Sequence, residues 1–378
     1  MAKITRYIKE NIIKKLQANK VVVLYGPRRI GKTTLVKDIL EDIKEEYLFL
    51  NGENNSVQKW LSSQELDVLK RYIGNYKFVI IDEAQKIDKI GLNLKIIVDH
   101  IDDIKILATG SSSFELANQV GEPLVGRKWQ FTLYPIAQLE LQKEENLSET
   151  ENNLDLRLIY GVYPDVVTAT SNENRKDVLN DIVDSYLYRD LLEFDEIKKS
   201  QKIIDILKNL AFQIGKEVSL QELASAVSLN LRTVEKYLDL LEKTFVIKRV
   251  YGFSRNLRKE ITKMSRFYFF DNGVRNAIIQ NFNTIDLRND VGELWENYIF
   301  MERLKRNEYK KIGANIYFWR TYDQKEIDLI EEREGKLFGY EFKYNEKKKT
   351  NAPVGWLDTY SNAEFRVINR NNYLDFIC

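Results

Sequence analysis

Gly26-Pro27-Arg28-Arg29-Ile30-Gly31-Lys32-Thr33 is the stretch that decides the fold. It fits G-x-x-x-x-G-K-[ST] at every position, and its setting fits too. An apolar run of mostly β-branched residues, VVVLY (21–25), precedes it, and a helical stretch, TTLVKDIL (33–40), follows. The glycines allow backbone N–H groups to turn inward around a phosphate, and the helix aims its positive end at the same anion. Lys32 is placed to reach the outer phosphates of a nucleoside triphosphate, and the Thr33 hydroxyl to ligate magnesium. Residues Gly26 to Thr34 are therefore expected to cradle Mg²⁺-ATP.

Working outward, YLFLN (47–51), FVIID (78–82) and IKILATG (104–110) read as further strands with helical segments between them. Strands alternating with helices predict an α/β domain with a parallel sheet and right-handed crossovers. FVIIDEAQ (78–85) ends its apolar run in two carboxylates at the strand tip, where ligands lie in open α/β sheets. Asp82 is expected to hold magnesium through a water, and Glu83 to orient or deprotonate the attacking water. Thr109 or Ser111 is a candidate γ-phosphate sensor, with a plain strand-end turn as the competing reading. Arg127 is a candidate for stabilising transition-state charge, from its own chain or from a neighbouring subunit.

The chain has 378 residues, 58 Lys+Arg against 57 Asp+Glu, so bulk charge does not point to nucleic acid and any basic surface must be local. Cys378 is the only cysteine, which excludes an intrachain disulfide and a cysteine zinc site and fits a reducing compartment. The amphipathic N-terminus, MAKITRYIKENIIKKL, is interrupted by charges, and nowhere do 18 apolar residues run together. The expectation is a cytoplasmic protein without a membrane partner. Residues 4–17 carry Ile4, Ile8, Ile12 and Leu16 at helical spacing, and the acidic stretch LQKEENLSETENN (141–153) reads as a solvent loop or boundary.

LYGPRRIGKTTL (24–35), FVIIDEAQ, ILATGSSSFEL (106–116), the stretch from Gly126-Arg127 through LYPIAQLEL (133–141), and GVYPDVV (161–167) resemble a family of prokaryotic AAA-type ATPases. Members of that family join the ATPase to a C-terminal domain of unknown function. The chain is also similar to the wider group of signal-transduction NTPases with a Gly-x-Pro element after the lid. Val162 stands where a second glycine is common, and Pro164 is kept. The resemblance implies that Pro164 lies near the adenine.

Further along, Ser219-Leu220-Gln221-Glu222 is a capping box that opens a short helix. A tight turn leads to LRTVEKYLDLLEK (231–243), where Val234, Tyr237, Leu238 and Leu241 form an apolar stripe. FVIKRV (245–250) and a hairpin ending at FYFFD (267–271) complete a winged helix-turn-helix pattern. Residues 243–266 hold Lys243, Lys248, Arg249, Arg255, Arg258, Lys259, Lys263 and Arg266 against Glu260 alone, a local surplus suited to DNA phosphates. On the recognition helix, Arg232, Thr233 and Lys236 are plausible contacts, while Glu235 and Asp239 repel phosphate. A spacer or protein-docking unit is the competing reading.

The C-terminal runs Glu326-Ile-Asp328-Leu-Ile and Gly339-Tyr-Glu341-Phe-Lys343 alternate as strands. A hairpin midpoint between Glu334 and Gly335 places Asp328 opposite Glu341 and Glu326 opposite Lys343. Like charges paired across strands destabilise the hairpin, and a shared divalent cation would remove that cost. Glu293 or Glu296, on the preceding helix, is the candidate third carboxylate. The Asp…Glu-x-Lys pattern resembles the restriction-endonuclease-like superfamily, many of whose members keep the fold and lose the chemistry. The competing reading is a charged hairpin with a Glu326–Lys343 pair.

The expected organisation is a P-loop NTPase core (1–140), a helical lid or linker (141–200), a winged helix-turn-helix (201–284) and a smaller α/β nuclease-like domain (285–378). The expected function is ATP hydrolysis driving a switch or motor on DNA. A signalling NTPase that docks protein partners over an inactive nuclease-like scaffold is the alternative, and either arrangement allows a homo-oligomer.

Overall fold

Five consecutive buried residues, Val21 to Tyr25, set the centre of the first sheet. A strand buried at successive positions must be covered on both faces, the environment of a parallel sheet flanked by helices. This strand, β1 (Lys20–Tyr25), pairs in parallel with β4 (Lys105–Gly110) on one side and with β5 (Lys128–Thr132) on the other. With β2 (Tyr47–Asn51) and β3 (Phe78–Asp82) the order is β2-β3-β4-β1-β5, parallel throughout. Strand β5 has no signal in the sequence because KWQFT lacks an apolar run, and Phe131 is its one fully buried residue. Helices Lys32–Asp42, Asn55–Leu61, Leu66–Ile73 and Ile90–His100 flank the sheet, and His100 is exposed at the end of the last of them.

The computed structural model describes residues 4–110, 123–184, 200–254, 264–321, 325–345, 351–353, 356–360 and 362–378. Ser111 and, of the basic surplus, Arg255, Arg258, Lys259 and Lys263 lie outside the described residues, as does Glu260. The chain forms two compact units. One is Thr5–Pro135 with Lys243–Phe245; the other joins Ile136–Glu242 to Val246–Cys378 and includes Ile4.

The second unit begins with helices, and here one expectation holds only in part. Residues 141–153 are a loop only in part: residues 142–146 form a connecting turn, and helix Leu147–Tyr160 takes up the rest. Asn146 and Glu149 form a reciprocal capping box, satisfying two N–H groups at the helix start. The buried side begins at Thr150 and continues through Leu154, Arg157 and Leu158, mostly beyond the acidic stretch, so the stretch alone shows no apolar period. The helix ends at Gly161, whose φ of 72° lies in the left-handed region. A Cβ there would stand 2.0 Å from Asp271 Oδ1. Asp271 in turn accepts the Val162 N–H at 2.7 Å and caps the buried helix Asn272–Ile278. Gly161-Val162 is thus a tight junction between two helices. Pro164 opens the short helix Pro164–Thr168 of this second unit.

Helices Leu220–Ala226 and Leu231–Lys243 are joined by a short turn in which Ser228 has φ 53°. Ser219 caps the first, accepting the Glu222 N–H at 3.3 Å, and all four residues of the expected apolar stripe are buried. The seven-stranded mixed sheet that follows contains β6 (Glu217–Val218), β7 (Ile247–Gly252), β8 (Ser265–Phe269), β9 (Asn315–Arg320), β10 (Glu326–Arg333), β11 (Lys336–Phe342) and β12 (Ala363–Ile368). Their order is β12-β11-β10-β9-β7-β8-β6. Strand β7 pairs with β8 antiparallel and, on its other side, with β9 parallel through Tyr251↔Tyr317 and Gly252↔Phe318. The β7–β8 hairpin is therefore built into the C-terminal sheet and is no free-standing wing. Helix Val291–Tyr309 buries Trp295 completely and stacks Phe300 on Tyr268 with ring centroids 4.0 Å apart. Among the described residues no helix is long and apolar enough to cross a membrane.

Candidate nucleotide-binding site

The strand order places three tips side by side. In the register of the parallel sheet Leu24 lies beside Thr109, and Ile81 beside Ala108. The loop leaving β1 and the Asp82-Glu83 pair leaving β3 thus flank the end of β4. Gly26 has φ 153°, and a Cβ there would stand 2.3 Å from the Leu133 carbonyl oxygen, so only glycine fits. Gly31 (φ 86°) and Arg29 (φ 60°) also take left-handed conformations, which reverse the chain into helix Lys32–Asp42.

Lys32 is buried, and its Nζ donates to the loop's own carbonyls, Gly26 O at 3.0 Å and Pro27 O at 2.9 Å. The ammonium is held inside the loop by neutral acceptors, so a phosphate oxygen is a stronger partner than these carbonyls. Thr33 Oγ1 donates to Asp82 Oδ2 at 2.9 Å, joining two motifs 49 residues apart. Thr109 Oγ1 donates to the other oxygen, Asp82 Oδ1, and accepts the Glu83 N–H at 3.3 Å. Thr109 therefore orients Asp82 and Glu83; its hydroxyl is committed to them. Glu83 is only partly buried, has φ 51°, and its Oε2 accepts from Gln85 Nε2 at 2.6 Å. That leaves one carboxylate buried beside the Thr33 hydroxyl and one carboxylate more accessible, held by a neighbouring amide.

Two supports are not legible in the sequence. Arg6 is buried, with Nη1 donating to Ile30 O at 2.8 Å and Nη2 to Tyr134 O at 2.5 Å. It ties the loop to the segment after β5. Gly52, at the end of β2, would bring a Cβ to 2.3 Å from Glu83 O, so β2 presses against the carboxylate turn. Arg6 carries no local signal, because its partners are carbonyls distant in the chain.

Arg127 is not where the charge-stabilising role requires within its own chain. Its carbonyl accepts the Val21 N–H at 2.9 Å, at the start of β1, whereas the loop leaves the other end. Along a strand that separation is roughly 16 Å at about 3.3 Å per residue. Its guanidinium instead pairs with Asp99, Nε to Oδ1 at 2.5 Å.

The second candidate site lies in the mixed sheet. The observed register runs from Leu329↔Tyr340 to Arg333↔Lys336, as the midpoint at Glu334-Gly335 predicts, which puts Asp328 level with Glu341. Asp328 Oδ2 accepts the Phe342 N–H at 2.8 Å, and Lys343 Nζ pairs with Glu341 Oε1 at 2.5 Å. Arg266 from β8 enters the same site and supplies positive charge there. Its guanidinium is 2.8 Å from Glu326 Oε2, 3.4 Å from Asp328 Oδ1 and 3.6 Å from Glu296 Oε1. Glu296 also accepts from Tyr268 Oη at 2.7 Å. Glu293 turns to Lys216 instead, at 3.5 Å. Burial, with Asp328 adding to it, pushes the Glu341 carboxyl up to about 7 and the Glu296 carboxyl well above its ordinary range. Both shifts favour the neutral carboxyl, which lessens the negative charge that Arg266 and Lys343 offset. Among the described residues no group of three Asp, Glu, His or Cys side chains is arranged to hold a metal ion. Glu326 also pairs with Arg266 and not with Lys343, which corrects the charged-hairpin alternative.

The basic surplus shrinks for the same reason. Arg266 is buried among acids, Lys248 pairs with Glu242 at 2.5 Å, and Arg249 lies over the Tyr251 ring. Arg232 and Lys236 remain exposed on helix Leu231–Lys243.

Comparison with known proteins agrees with the loop and the sheet. Residues 18–142 match the family model of an AAA domain, and residues 151–285 and 291–373 match two domains of unknown function, DUF8612 and DUF4143. An uncharacterized protein of Methanocaldococcus jannaschii is 24% identical over 359 residues, covering 89% of this chain and 77% of that one. One from Mycobacterium tuberculosis is 26% identical over 325 residues, covering 85% and 69%. Two solved structures align loosely. A signal transduction ATPase with numerous domains from Pyrococcus horikoshii has TM-score 0.32 at 15% identity, over 80% of this chain and 46% of that one. A point mutant of RuvB from Thermotoga maritima has TM-score 0.33 at 16% identity, over 64% and 86%. Residues 18–142 thus match an AAA domain, and residues 291–373 a C-terminal domain of unknown function.

Proposed function

We propose that this protein binds ATP with Mg²⁺ in the Gly26–Thr34 loop and hydrolyses it to drive a conformational switch. The observation that carries this reading is the Thr33–Asp82 hydrogen bond, 2.9 Å, beneath a loop whose lysine donates to the neutral carbonyls of Gly26 and Pro27. Lys32 engages the outer phosphates, and the loop N–H groups and the helix start cradle them. Thr33 and Asp82 hold Mg²⁺, which neutralises phosphate charge. Glu83 orients the attacking water and accepts its proton, with Gln85 and Thr109 fixing the angle of the carboxylate turn. Phosphate release, measured with and without Mg²⁺ in the wild type and in Lys32→Ala, tests this. Release that is independent of Mg²⁺ or unimpaired in the variant sinks the assignment.

The C-terminal site acts as a scaffold on this reading. Arg266 and Lys343 offset part of the charge of its four carboxyls, which lowers the demand for a metal at Asp328 and Glu341. Docking of a partner, either protein or DNA, is then the output of the switch. The exposed Arg232 and Lys236 on the second helix of the helix-turn-helix favour DNA. Stimulation of ATP turnover by DNA, with a salt slope that falls by about one for each phosphate contact removed, is the discriminating measurement. No stimulation at low salt selects a protein partner.

A further inference from the structure

On the C-terminal sheet, a pocket of about 330 Å³ is lined by four arginines, Arg303, Arg306, Arg333 and Arg366, with Tyr340 and Phe376 as aromatic walls. Neither the ATPase reading nor the acidic site uses it. Nearby carboxylates are too few to neutralise it. Asp375 is the one acid on the lining. Glu331 sits behind it, held bidentate by Arg303 at 2.7 and 2.7 Å. Glu364 meets Arg366 at 3.2 Å on the exposed rim. Counting side chains, four arginines face three acids, a surplus of one.

The arginines are also held in place. Arg303 Nη1 donates to Phe376 O at 2.7 Å, and Arg306 Nε to Cys378 O at 3.2 Å. Arg333 lies over the Phe338 ring at 4.0 Å, with its Nε 3.4 Å from Glu331 Oε2. Crowding has a cost: burial, with Arg303 and Arg333 adding to it, pulls the Arg306 guanidinium below its ordinary range. Arg303 is already compensated by Glu331, and an entering anion would relieve the crowding that remains among Arg306, Arg333 and Arg366. Planar guanidiniums suit phosphate oxygens, which they meet in pairs.

We infer that this pocket binds a dianionic phosphoryl group, as carried by a phosphate monoester. The volume admits the phosphoryl group and a small attached moiety. A free nucleotide and the 5′-phosphate end of a nucleic acid strand share this chemistry.

The test uses the full chain carrying Lys32→Ala, which removes phosphate binding at the loop. Phenylglyoxal labels arginines, and mass spectrometry maps the sites. Inorganic phosphate, but not chloride at equal ionic strength, is expected to protect Arg306, Arg333 and Arg366 while leaving Arg232 reactive. Calorimetric titration with phosphate should weaken at least tenfold in Arg306→Gln/Arg333→Gln. In the otherwise native chain that pair should leave ATP turnover unchanged. AMP protecting where a 5′-phosphorylated dinucleotide fails identifies a free nucleotide. A dinucleotide that protects only when 5′-phosphorylated identifies a strand end. Equal labelling with and without every one of these probes overturns the inference, and because the labelling reads the unmodified pocket, misfolding of the double variant does not protect it.

Discussion

The nucleotide site and the acidic site of the mixed sheet are built from similar parts and are opposite in their charge balance. Each puts a carboxylate at the end of a buried strand, a second carboxylate close by and a lysine within reach. In the first, Lys32 donates to the neutral carbonyls of Gly26 and Pro27, and Asp82 accepts from the hydroxyls of Thr33 and Thr109. In the second, Arg266 stands among Glu296, Glu326 and Asp328, and Lys343 is paired with Glu341. Its own cations offset much of its acid charge, although Glu341 Oε2 stays buried without a hydrogen-bond partner. A motif names residue types, but whether it binds depends on what else points at the same spot.

The largest effect expected at the first site is in turnover. Glu83→Gln keeps Lys32, Thr33 and Asp82, so Mg²⁺-ATP binding should survive. Turnover should fall by roughly 10²–10⁴-fold, the usual contribution of a positioned base. Equilibrium binding and single-turnover phosphate release check both halves. If hydrolysis stays within a few-fold of wild type, Glu83 is not the base, and the contrast between the two sites is lost.

At the second site the same logic predicts a loss of stability and no loss of activity. Arg266→Ala removes the counter-charge of Glu326 and Asp328 and the guanidinium beside Glu296. Breaking a buried pair by removing one partner costs about 3–5 kcal/mol. Urea unfolding should show it, while Mg²⁺-ATP binding at the loop is retained. Replacing Arg266 by Met in a chain that also carries Asp328→Asn should restore part of the loss, since the stranded charge is then gone too. A variant as stable as wild type would mean that an ion takes over the arginine's place.

The first site is legible in the sequence almost whole and the second only in outline, and the difference is physical. The loop's function is written in contiguous residues, and its strands β1, β3 and β4 are unbroken apolar runs that local rules detect. The hairpin register at Glu334-Gly335 is equally local, and it holds. Arg266 is not legible in its role. It lies 60 residues from Glu326 and reads as one more cation of the basic surplus, because no local pattern says which way an arginine turns in a strand whose five residues are all buried. Strand β5 and the capped helix Leu147–Tyr160 escape sequence reading for related reasons: an edge strand needs no apolar run, and a helix start is set by its cap more than by its stripe. The β7–β9 pairing, which merges the hairpin into the C-terminal sheet, joins segments about 66 residues apart and rests on two residue pairs.

A smaller effect is a pH dependence arising at the second site. Burial and Asp328 raise the Glu341 carboxyl from 4.5 to about 7. Between those values the folded state holds a proton that the unfolded chain has released. The contribution to stability is therefore full below about pH 4.5 and is lost as pH rises through 7, by up to roughly 3 kcal/mol at about 1.4 per unit. Glu296 and Asp328 are shifted in the same direction by burial. Glu341→Gln should flatten this slope and be more stable than wild type above pH 7, as read by urea midpoints from about pH 5 to 8.5. A wild-type midpoint that rises steadily across that range would show that the carboxyls are ionised and balanced by something else.

The smallest effect expected concerns Arg127, and it separates an arginine that completes a site from one that only decorates a surface. Arg127 sits at the start of β1, away from the loop, and pairs with Asp99; side-chain exposures of 39% and 26% leave the pair open to solvent. Exposed pairs contribute about 0.2–1 kcal/mol, so Arg127→Ala should shift unfolding by no more than that. Because the strand carries it to the wrong end of the sheet, per-chain ATP turnover should stay within about twofold of wild type. A transition-state arginine supplied by a second copy would behave differently: turnover per chain would climb with protein concentration, and the substitution would remove the climb, a loss on the order of 10³-fold or more. Measuring turnover across a wide range of concentration for both proteins decides the matter, and superimposed flat curves are the expected result.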